Sequence, residues 1–181
     1  MTDVATSYTA TFPSLTANAP LMAGIGCWTS TCPGSNKFTD TTALLNTMQS
    51  ALPSSAGLGS TANPQNVLII LTDGAADSAN DGIAAFTASN VSQCNTIKAN
   101  GTKIAILYTI YDPETINYTA HPTFNTFASS QVPNIQSQLQ SCATRNPDGS
   151  YLMQAVGTNG DISGALSLLF QTVVQSSRLV Q

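Results

Sequence analysis

Asp73 stands directly after an unbroken aliphatic run, and this placement is the clearest chemical signal in the chain. The run Val67–Leu71 leads into Thr72, Asp73 and Gly74. Carboxylate and hydroxyl oxygens are the ligands that hard divalent cations such as Mg²⁺ prefer. In open α/β sheets, ligands bind beyond the carboxyl ends of the strands. The segment therefore predicts a strand with a ligand or metal position at its end, with a turn or helix cap as the alternative role for Asp73.

The other titratable residues offer weaker signals. Asp77 and Asp81 follow in a polar loop without a Ca²⁺-loop pattern, so we expect solvated side chains. His121 is the single histidine and has no partner serine or cysteine motif, which favours a surface position. The sequence contains no phosphate loop, dinucleotide fingerprint, nucleophile elbow or zinc-protease motif. We therefore do not expect an enzyme.

Four cysteines are present, and their spacing bears on the compartment. Cys27 and Cys32 lie five apart in a Gly/Pro/Ser-rich loop, while Cys94 and Cys142 are far apart. A zinc site is disfavoured because there is one histidine and no second closely spaced cysteine pair. The residues favour disulfides Cys27–Cys32 and Cys94–Cys142, which would need an oxidising compartment, over free buried thiols.

Composition limits the classes of protein that fit. The chain has 181 residues, which is enough for one domain, with 42% hydrophobic residues, only 8% charged residues and a net charge of −4. It has no basic cluster, so nucleic acid is not an expected partner. No apolar run approaches the ~20 residues that span a bilayer. The first residues do not resemble a signal peptide, so the chain is either cytosolic or targeted by a segment outside this sequence.

The elements that must position Asp73 alternate between strands and helices. Two apolar strands, at 67–72 and 103–109, flank a helix at about 89–100 that the Asn100-Gly101 pair ends. This order predicts a βαβ unit and an α/β fold with a mostly parallel sheet. Before this unit the sequence predicts a strand at 6–12 and a helix that follows Thr39-Asp40 and ends at Pro53. After it come a short helix at 134–142, a strand at 151–156 and a last helix that begins at 160–163. The last helix carries apolar residues on one face: Ile162, Leu166, Leu169, Phe170 and Val173. Residues 13–38 and 111–132 are predicted loop insertions within a single domain, 1–181.

Several of these segments together resemble a known family. The strand ending Leu71-Thr72-Asp73-Gly74 is similar to the fourth strand of a von Willebrand factor A domain. The segments 93–101, 104–108, 139–143 and 160–170 extend the likeness to the C-terminal half of TadG-like proteins of the bacterial Tad/Flp pilus assembly machinery. The resemblance covers about residues 36–181.

The resemblance implies a fold and a kind of site. The implied fold is a three-layer, Rossmann-like von Willebrand A-type domain, and the family's cysteine pair matches Cys94 and Cys142. Many A domains hold Mg²⁺ or Mn²⁺ through three loops. Here the aspartate loop aligns with Asp73 and the threonine loop with Thr39, and Thr41 is the second candidate for the threonine position.

The chain departs from this family at its start. The Asp-x-Ser-x-Ser loop, which the family carries on its first strand, is absent, and residues 1–12 resemble the third strand. We therefore expect an N-terminally incomplete A domain with a degenerate metal site and no certain cofactor. Mg²⁺ or Mn²⁺ would belong to an intact parent domain.

The resemblance implies a non-catalytic protein-interaction domain that contacts pilus components or a surface ligand. It would act in the periplasm or at the cell surface, in a parent anchored through an upstream membrane helix, with no membrane contact by this segment. A secreted adhesin A domain unrelated to pili, and a cytosolic doubly wound nucleotide-binding enzyme, are the alternatives.

Overall fold

The computed structural model describes residues 41–53, 65–77, 83–112 and 126–178. Within these ranges the chain forms four α-helices, one π-helix and five strands. The elements are α1 (Thr41–Ala51), β1 (Val67–Thr72), β2 (Ala75–Asp77), β3 (Ile83–Ala85), α2 (Ala88–Ala99), β4 (Lys103–Thr109), a π-helix (Phe127–Gln131), α3 (Val132–Cys142), β5 (Met153–Val156) and α4 (Ile162–Arg178).

The main sheet has three parallel strands in the order β1-β4-β5. Val67 of β1 pairs with Lys103, and Ile106 of β4 pairs with Met153 of β5. Parallel strands need crossover connections, and α2 and α3 supply them. The predicted βαβ unit is therefore confirmed, with both strands at their predicted bounds. The fold is mixed α/β, compatible with a Rossmann-like architecture.

Alternation along β4 divides the core into two layers. Ile104, Ile106 and Tyr108 pack with the residues of α1, α2 and α3. Ala105 and Leu107 point to the opposite face, where they meet Leu169 and other residues of α4. Successive strand residues face opposite sides of a sheet, so one all-apolar strand supplies both layers. Among the described residues, the sheet thus has three helices packed on one face and one helix on the other.

Two departures from the predicted elements lie after β1 and before α3. The predicted polar loop at 75–88 instead contains an antiparallel hairpin, β2 with β3. The end of the predicted loop at 111–132 is helical, because Phe127 is buried and meets Tyr111 edge-on at 5.3 Å between ring centroids. Its Gln131 also accepts a hydrogen bond from the Ala85 amide at 2.8 Å.

Two further differences concern the ends of predicted elements. Strand β5 begins at Met153 and not at 151, because Tyr151 forms an isolated antiparallel bridge with Arg145. Of the apolar residues predicted to share one face of α4, Leu169 and Val173 are buried, whereas Ile162 and Phe170 are 50% and 48% exposed. The predicted strand at 6–12 and the predicted loop at 13–38 lie outside the described residues. No helix in the described ranges is long and apolar enough to cross a bilayer.

Candidate functional site at the carboxyl edge of the sheet

Strand β1 delivers Asp73 to the carboxyl edge of the sheet, as the sequence predicts. Asp73 is exposed, directly after the last residue of the strand. Its Oδ1 accepts a hydrogen bond from the Ala75 amide at 3.0 Å. The Thr72 hydroxyl likewise accepts one from the Gly74 amide at 2.9 Å. These two side-chain bonds fix the turn and hold the carboxylate at the edge.

Gly74 is required by this turn for two reasons. Its φ is +74°, a conformation that side chains of L-residues rarely adopt. A Cβ at this position would also collide with Cγ2 of Ile135 on α3. The glycine therefore lets α3 pack closely beneath the Asp73 turn, which stiffens the edge.

The start of α2 lies beside the same turn. The Phe86 amide donates to the Gly74 carbonyl at 2.8 Å. The next residue, Thr87, is the N-cap of α2 and forms a reciprocal capping box with Asn90. A helix N-terminus with its partial positive charge is thereby placed at the carboxyl edge of the sheet.

The start of α1 is tied to the start of α2 by amide side chains. Asn90 Nδ2 donates to the Thr42 hydroxyl at 3.0 Å, and Gln93 Nε2 donates to Asn46 Oδ1 at 2.7 Å and to the Thr42 carbonyl at 3.2 Å. Asn90 is only 4% exposed, so these bonds also satisfy a buried amide. The two helices begin side by side, which brings the first turn of α1 to the edge that carries Asp73.

Sequence reasoning missed this polar network. Asn90, Thr42 and Gln93 are common polar residues on two helices, and only the approach of those helices gives them a role. A Thr-x-x-Asn pattern before a helical segment was a detectable signal for the capping box alone.

The threonine candidates are placed only in part. Thr39 lies outside the described residues, so its alignment with Asp73 stays a prediction. Thr41, the reserve candidate, is the half-buried first residue of α1. Asp81 and His121 also fall outside the described ranges. Asp77 ends strand β2.

The described residues do not by themselves fit a tight divalent-cation site. Across the ranges 41–53, 65–77, 83–112 and 126–178, no group of three or more His, Cys, Asp or Glu side chains could hold a metal ion. Asp73 contributes one carboxylate, with one oxygen already bonded to the turn. Mg²⁺ takes about six oxygen ligands, several of them water. A metal at Asp73 would need further oxygen ligands besides this carboxylate.

Buried Tyr108 adds to the electrostatics of this edge. Burial raises the pKa of its phenol, and the nearby Asp73 charge raises it further, against a lowering by the Tyr111 amide that donates to the hydroxyl at 3.3 Å. The phenol therefore stays neutral at physiological pH. The phenol is therefore a buried, uncharged and hydrogen-bonded group near Asp73.

Two described lysines make their contacts in the opposite part of the molecule. Lys98 Nζ donates to the Ser141 carbonyl at 2.9 Å, near the end of α3. Lys103 Nζ donates to the Ser176 carbonyl at 2.9 Å, near the end of α4. Burial lowers the pKa of both ammonium groups. Each lysine satisfies carbonyls at a helix C-terminus, where a cation is favoured.

The disulfide Cys94–Cys142 is present and joins α2 to α3, with the two Cα atoms 5.2 Å apart. Both residues are fully buried. The second predicted pair, Cys27 and Cys32, lies outside the described residues.

Comparisons with protein-family models, with curated proteins and with solved structures found no significant match. The class that the fold defines is a mixed α/β domain with a parallel three-stranded sheet flanked by helices. Its candidate site is the exposed carboxylate at the carboxyl edge of that sheet.

Proposed function

We propose that this chain is a non-catalytic protein-interaction domain of a TadG-like Tad/Flp pilus assembly protein. In this proposal it has a von Willebrand A-like fold and contacts pilus components or a surface ligand through the Asp73 edge. It acts in the periplasm or at the cell surface, in a membrane-anchored parent.

The main support for the proposal is that Asp73 and the first turns of α1 and α2 lie at the same edge of the sheet. Asp73 is held in a turn that bonds to the residue before the Thr87 cap, and α1 begins against α2. The A-domain resemblance predicts this pairing of an aspartate loop with the start of a preceding helix. The strand order β1-β4-β5 is also the order that the family's last three strands would have.

The chemistry of the edge favours a partner that donates hydrogen bonds or carries positive charge. Asp73 is an exposed acceptor. Lys98 and Lys103, in contrast, direct their ammonium groups to helix carbonyls. Because the described residues do not fit a tight metal site, the contact is proposed to be direct, with the carboxylate facing a lysine, arginine or amide of the partner.

The disulfide supports an oxidising compartment for this domain. It disfavours the cytosolic enzyme alternative. Thiol titration of the unreduced protein tests this step, with no reaction expected at Cys94 or Cys142. Free thiols at these positions in protein isolated from cells would contradict the proposed location.

A complementation assay tests the function itself. The chain, in its parent gene, is restored to a deletion strain of the bacterium that encodes it, and Flp pili are counted by electron microscopy. Asp73→Lys should abolish piliation, because a cation replaces the acceptor at the edge. Asp148→Lys is the matched control. Asp148 is also an exposed aspartate, and its Oδ1 accepts a hydrogen bond from the backbone amide of Ser150, two residues later, at 2.9 Å.

Equal piliation by the two variants would overturn the role of this edge. If the unaltered parent gene makes no difference to piliation, the pilus assignment fails. In that case the secreted adhesin alternative is tested by attachment of the same strains to a surface.

A further inference from the structure

Three large apolar side chains are exposed at the carboxyl edge of the sheet, where Asp73 lies. Leu71 of β1 is 59% exposed, Ile110 just after β4 is 43% exposed, and Ile162, the first residue of α4, is 50% exposed. Among the described residues, the other exposed large apolar side chains lie along α4: Leu168, Phe170 and Val174. Single exposed apolar residues are common on protein surfaces, whereas several at one place indicate a contact surface.

Hydrogen bonds and packing contacts place these three residues at one edge. The Thr109 hydroxyl, at the end of β4, donates to the Thr72 carbonyl, at the end of β1, at 3.4 Å. The Ile110 amide donates to the carbonyl of Val156, the last residue of β5, at 2.7 Å. Gly160 lies against Val156, because a Cβ at position 160 would collide with Cγ1 of that valine. Since α4 begins two residues later, the ends of all three strands and the start of α4 meet at this edge.

Leu71 is exposed because the apolar cover of the sheet ends beside it. Val67 and Ile69 pack against the α4 layer, and Leu71 faces the same side by alternation. Leu107, which lies opposite Leu71 on β4, is buried in that layer. Helix α4 packs on β4 and β5. The apolar layer under α4 is therefore continuous with the exposed side chain that stands two residues before Asp73.

Three acidic residues lie at the same edge as the exposed apolar side chains. Asp73 follows β1, Asp112 follows β4, and Asp161 directly precedes α4. Asp73 and Asp161 are exposed, and Asp112 is half-buried. Asp161 Oδ1 accepts a hydrogen bond from the Gly164 amide at 2.9 Å, which holds this carboxylate at the start of the helix. Each strand end thus carries one large apolar residue and one acidic residue close in sequence.

The basic residues of the described ranges lie toward the opposite, amino edge. Lys103 begins β4, and its ammonium group contacts Ser176 near the end of α4. The amide of Thr144 donates to the Ile104 carbonyl, which brings the following arginine to the same end. The four described basic residues are Lys98, Lys103, Arg145 and Arg178. Because none of them is positioned at the carboxyl edge, that edge favours a cationic partner and disfavours an acidic one.

We propose that this edge binds a partner segment in which lysine or arginine alternates with large apolar residues. The inference rests on the proposed function, which puts the contact at Asp73, and extends that contact to Leu71, Ile110 and Ile162. Neighbouring strands are about 4.8 Å apart, so the three strand ends span about 10 Å, which an extended segment of about four residues crosses. A second copy of this chain fits less well, because its net charge of −4 opposes self-association.

NMR titration of the isotope-labelled 181-residue chain with three synthetic peptides of equal length tests the proposal. One peptide alternates lysine with leucine, one lysine with serine, and one glutamate with leucine. The lysine–leucine peptide should shift the amide signals of Leu71, Ile110 and Ile162 and bind about 10-fold more tightly than the lysine–serine peptide. The glutamate–leucine peptide should not bind.

Equal affinity for the two lysine peptides would overturn the apolar part of the contact, and with it the proposal. Equal affinity for the two leucine peptides would do the same for the charged part. Signal shifts confined to the exposed side of α4 would place the binding elsewhere and would also overturn it. Shifts that depend on protein concentration without peptide would identify a second copy as the occupant, against the proposal.

Matched substitutions separate the edge from other exposed positions. Leu71→Ser should weaken binding of the lysine–leucine peptide about 5-fold or more, whereas Val174→Ser, at a 48% exposed position on α4, should not change it. Asp161→Asn should also weaken binding, since asparagine still caps a helix but carries no charge. Asp148→Asn is its control. Equal effects within either pair would overturn the proposal.

The piliation assay distinguishes this inference from the proposed function. Normal piliation by Leu71→Ser, together with failed piliation by Asp73→Lys, would overturn the apolar contact and leave the proposed function standing. Peptide binding at the edge, together with a parent gene that makes no difference to piliation, would support this surface and reject the pilus assignment.

Discussion

The two edges of the parallel sheet differ in chemistry. At the carboxyl edge, an exposed carboxylate and the starts of α1 and α2 come together around the Asp73 turn. At the amino edge, Lys98 and Lys103 reach inward to helix carbonyls. One edge directs polar atoms outward, and the other uses its charged groups to hold the fold together.

Under the proposed function, this difference separates the groups that stabilise the fold from the groups that contact a partner. Substitutions in the amino half should change the free energy of unfolding and leave the Asp73 turn intact. Changes at Asp73 should affect partner contact and have little effect on stability.

The largest effect is expected on removal of the Cys94–Cys142 disulfide, which ends beside the carbonyls that Lys98 caps. The bond closes a loop with a sequence separation of 48. The chain-entropy model gives a loss of about 4 kcal/mol in the free energy of unfolding for a loop of this size. The double variant Cys94→Ala/Cys142→Ala, compared with the oxidised parent by urea unfolding, measures it. An unchanged unfolding midpoint would show that the bond does not stabilise the fold.

Gly74→Ala should lower stability by about 2–4 kcal/mol, the one large effect expected at the carboxyl edge. The left-handed backbone contributes about 1–2 kcal/mol, and the collision with Ile135 on α3 contributes a further overpacking cost. Thermal unfolding measures the change. The same substitution is also made in an Ile135→Ala background, which lacks the colliding Cγ2 and in which Gly74→Ala should cost less. An equal cost in both backgrounds would argue against close packing here.

Lys98→Met should lower stability by about 1 kcal/mol, because the methionine keeps the apolar stem but loses the hydrogen bonds to α3 carbonyls. Urea unfolding measures this loss. Lys98→Arg keeps the charge and serves as the control. If Lys98→Met is as stable as the parent, the amino edge is not held in the way described.

The smallest effect concerns alkaline pH. The pKa of Tyr108 is raised in the folded state, so the fold favours the neutral phenol. The stability that this phenol contributes is fully present below the unfolded-state pKa of about 10, and it is lost as the pH rises through the folded-state pKa. The parent should therefore lose stability more steeply than Tyr108→Phe between pH 9 and 11. Parallel curves for the two proteins would contradict the proposed burial of the phenol.

The sequence predicts the parts of this fold that local pattern controls. Strands β1 and β4 and the position of Asp73 follow from aliphatic runs bounded by turn residues. The β2–β3 hairpin was missed because its strands are short and rich in alanine, which has little strand preference. The contacts of Asn90 and Gln93 with α1 could not be predicted, since they depend on how two helices approach one another.

The proposed function requires that the edge carrying Asp73 contacts a protein partner. Photo-crosslinking in living cells tests this contact with Asp73 left in place: a benzophenone amino acid replaces Ala88, the exposed first residue of α2 beside the Asp73 turn, in one strain, and Asp148 in another. Crosslinked species are isolated and identified by mass spectrometry. We expect adducts with pilus assembly components from position 88 and none from position 148. Adducts of equal yield from both positions, or none from position 88 while the protein remains folded and present, would show that this edge is not the contact surface.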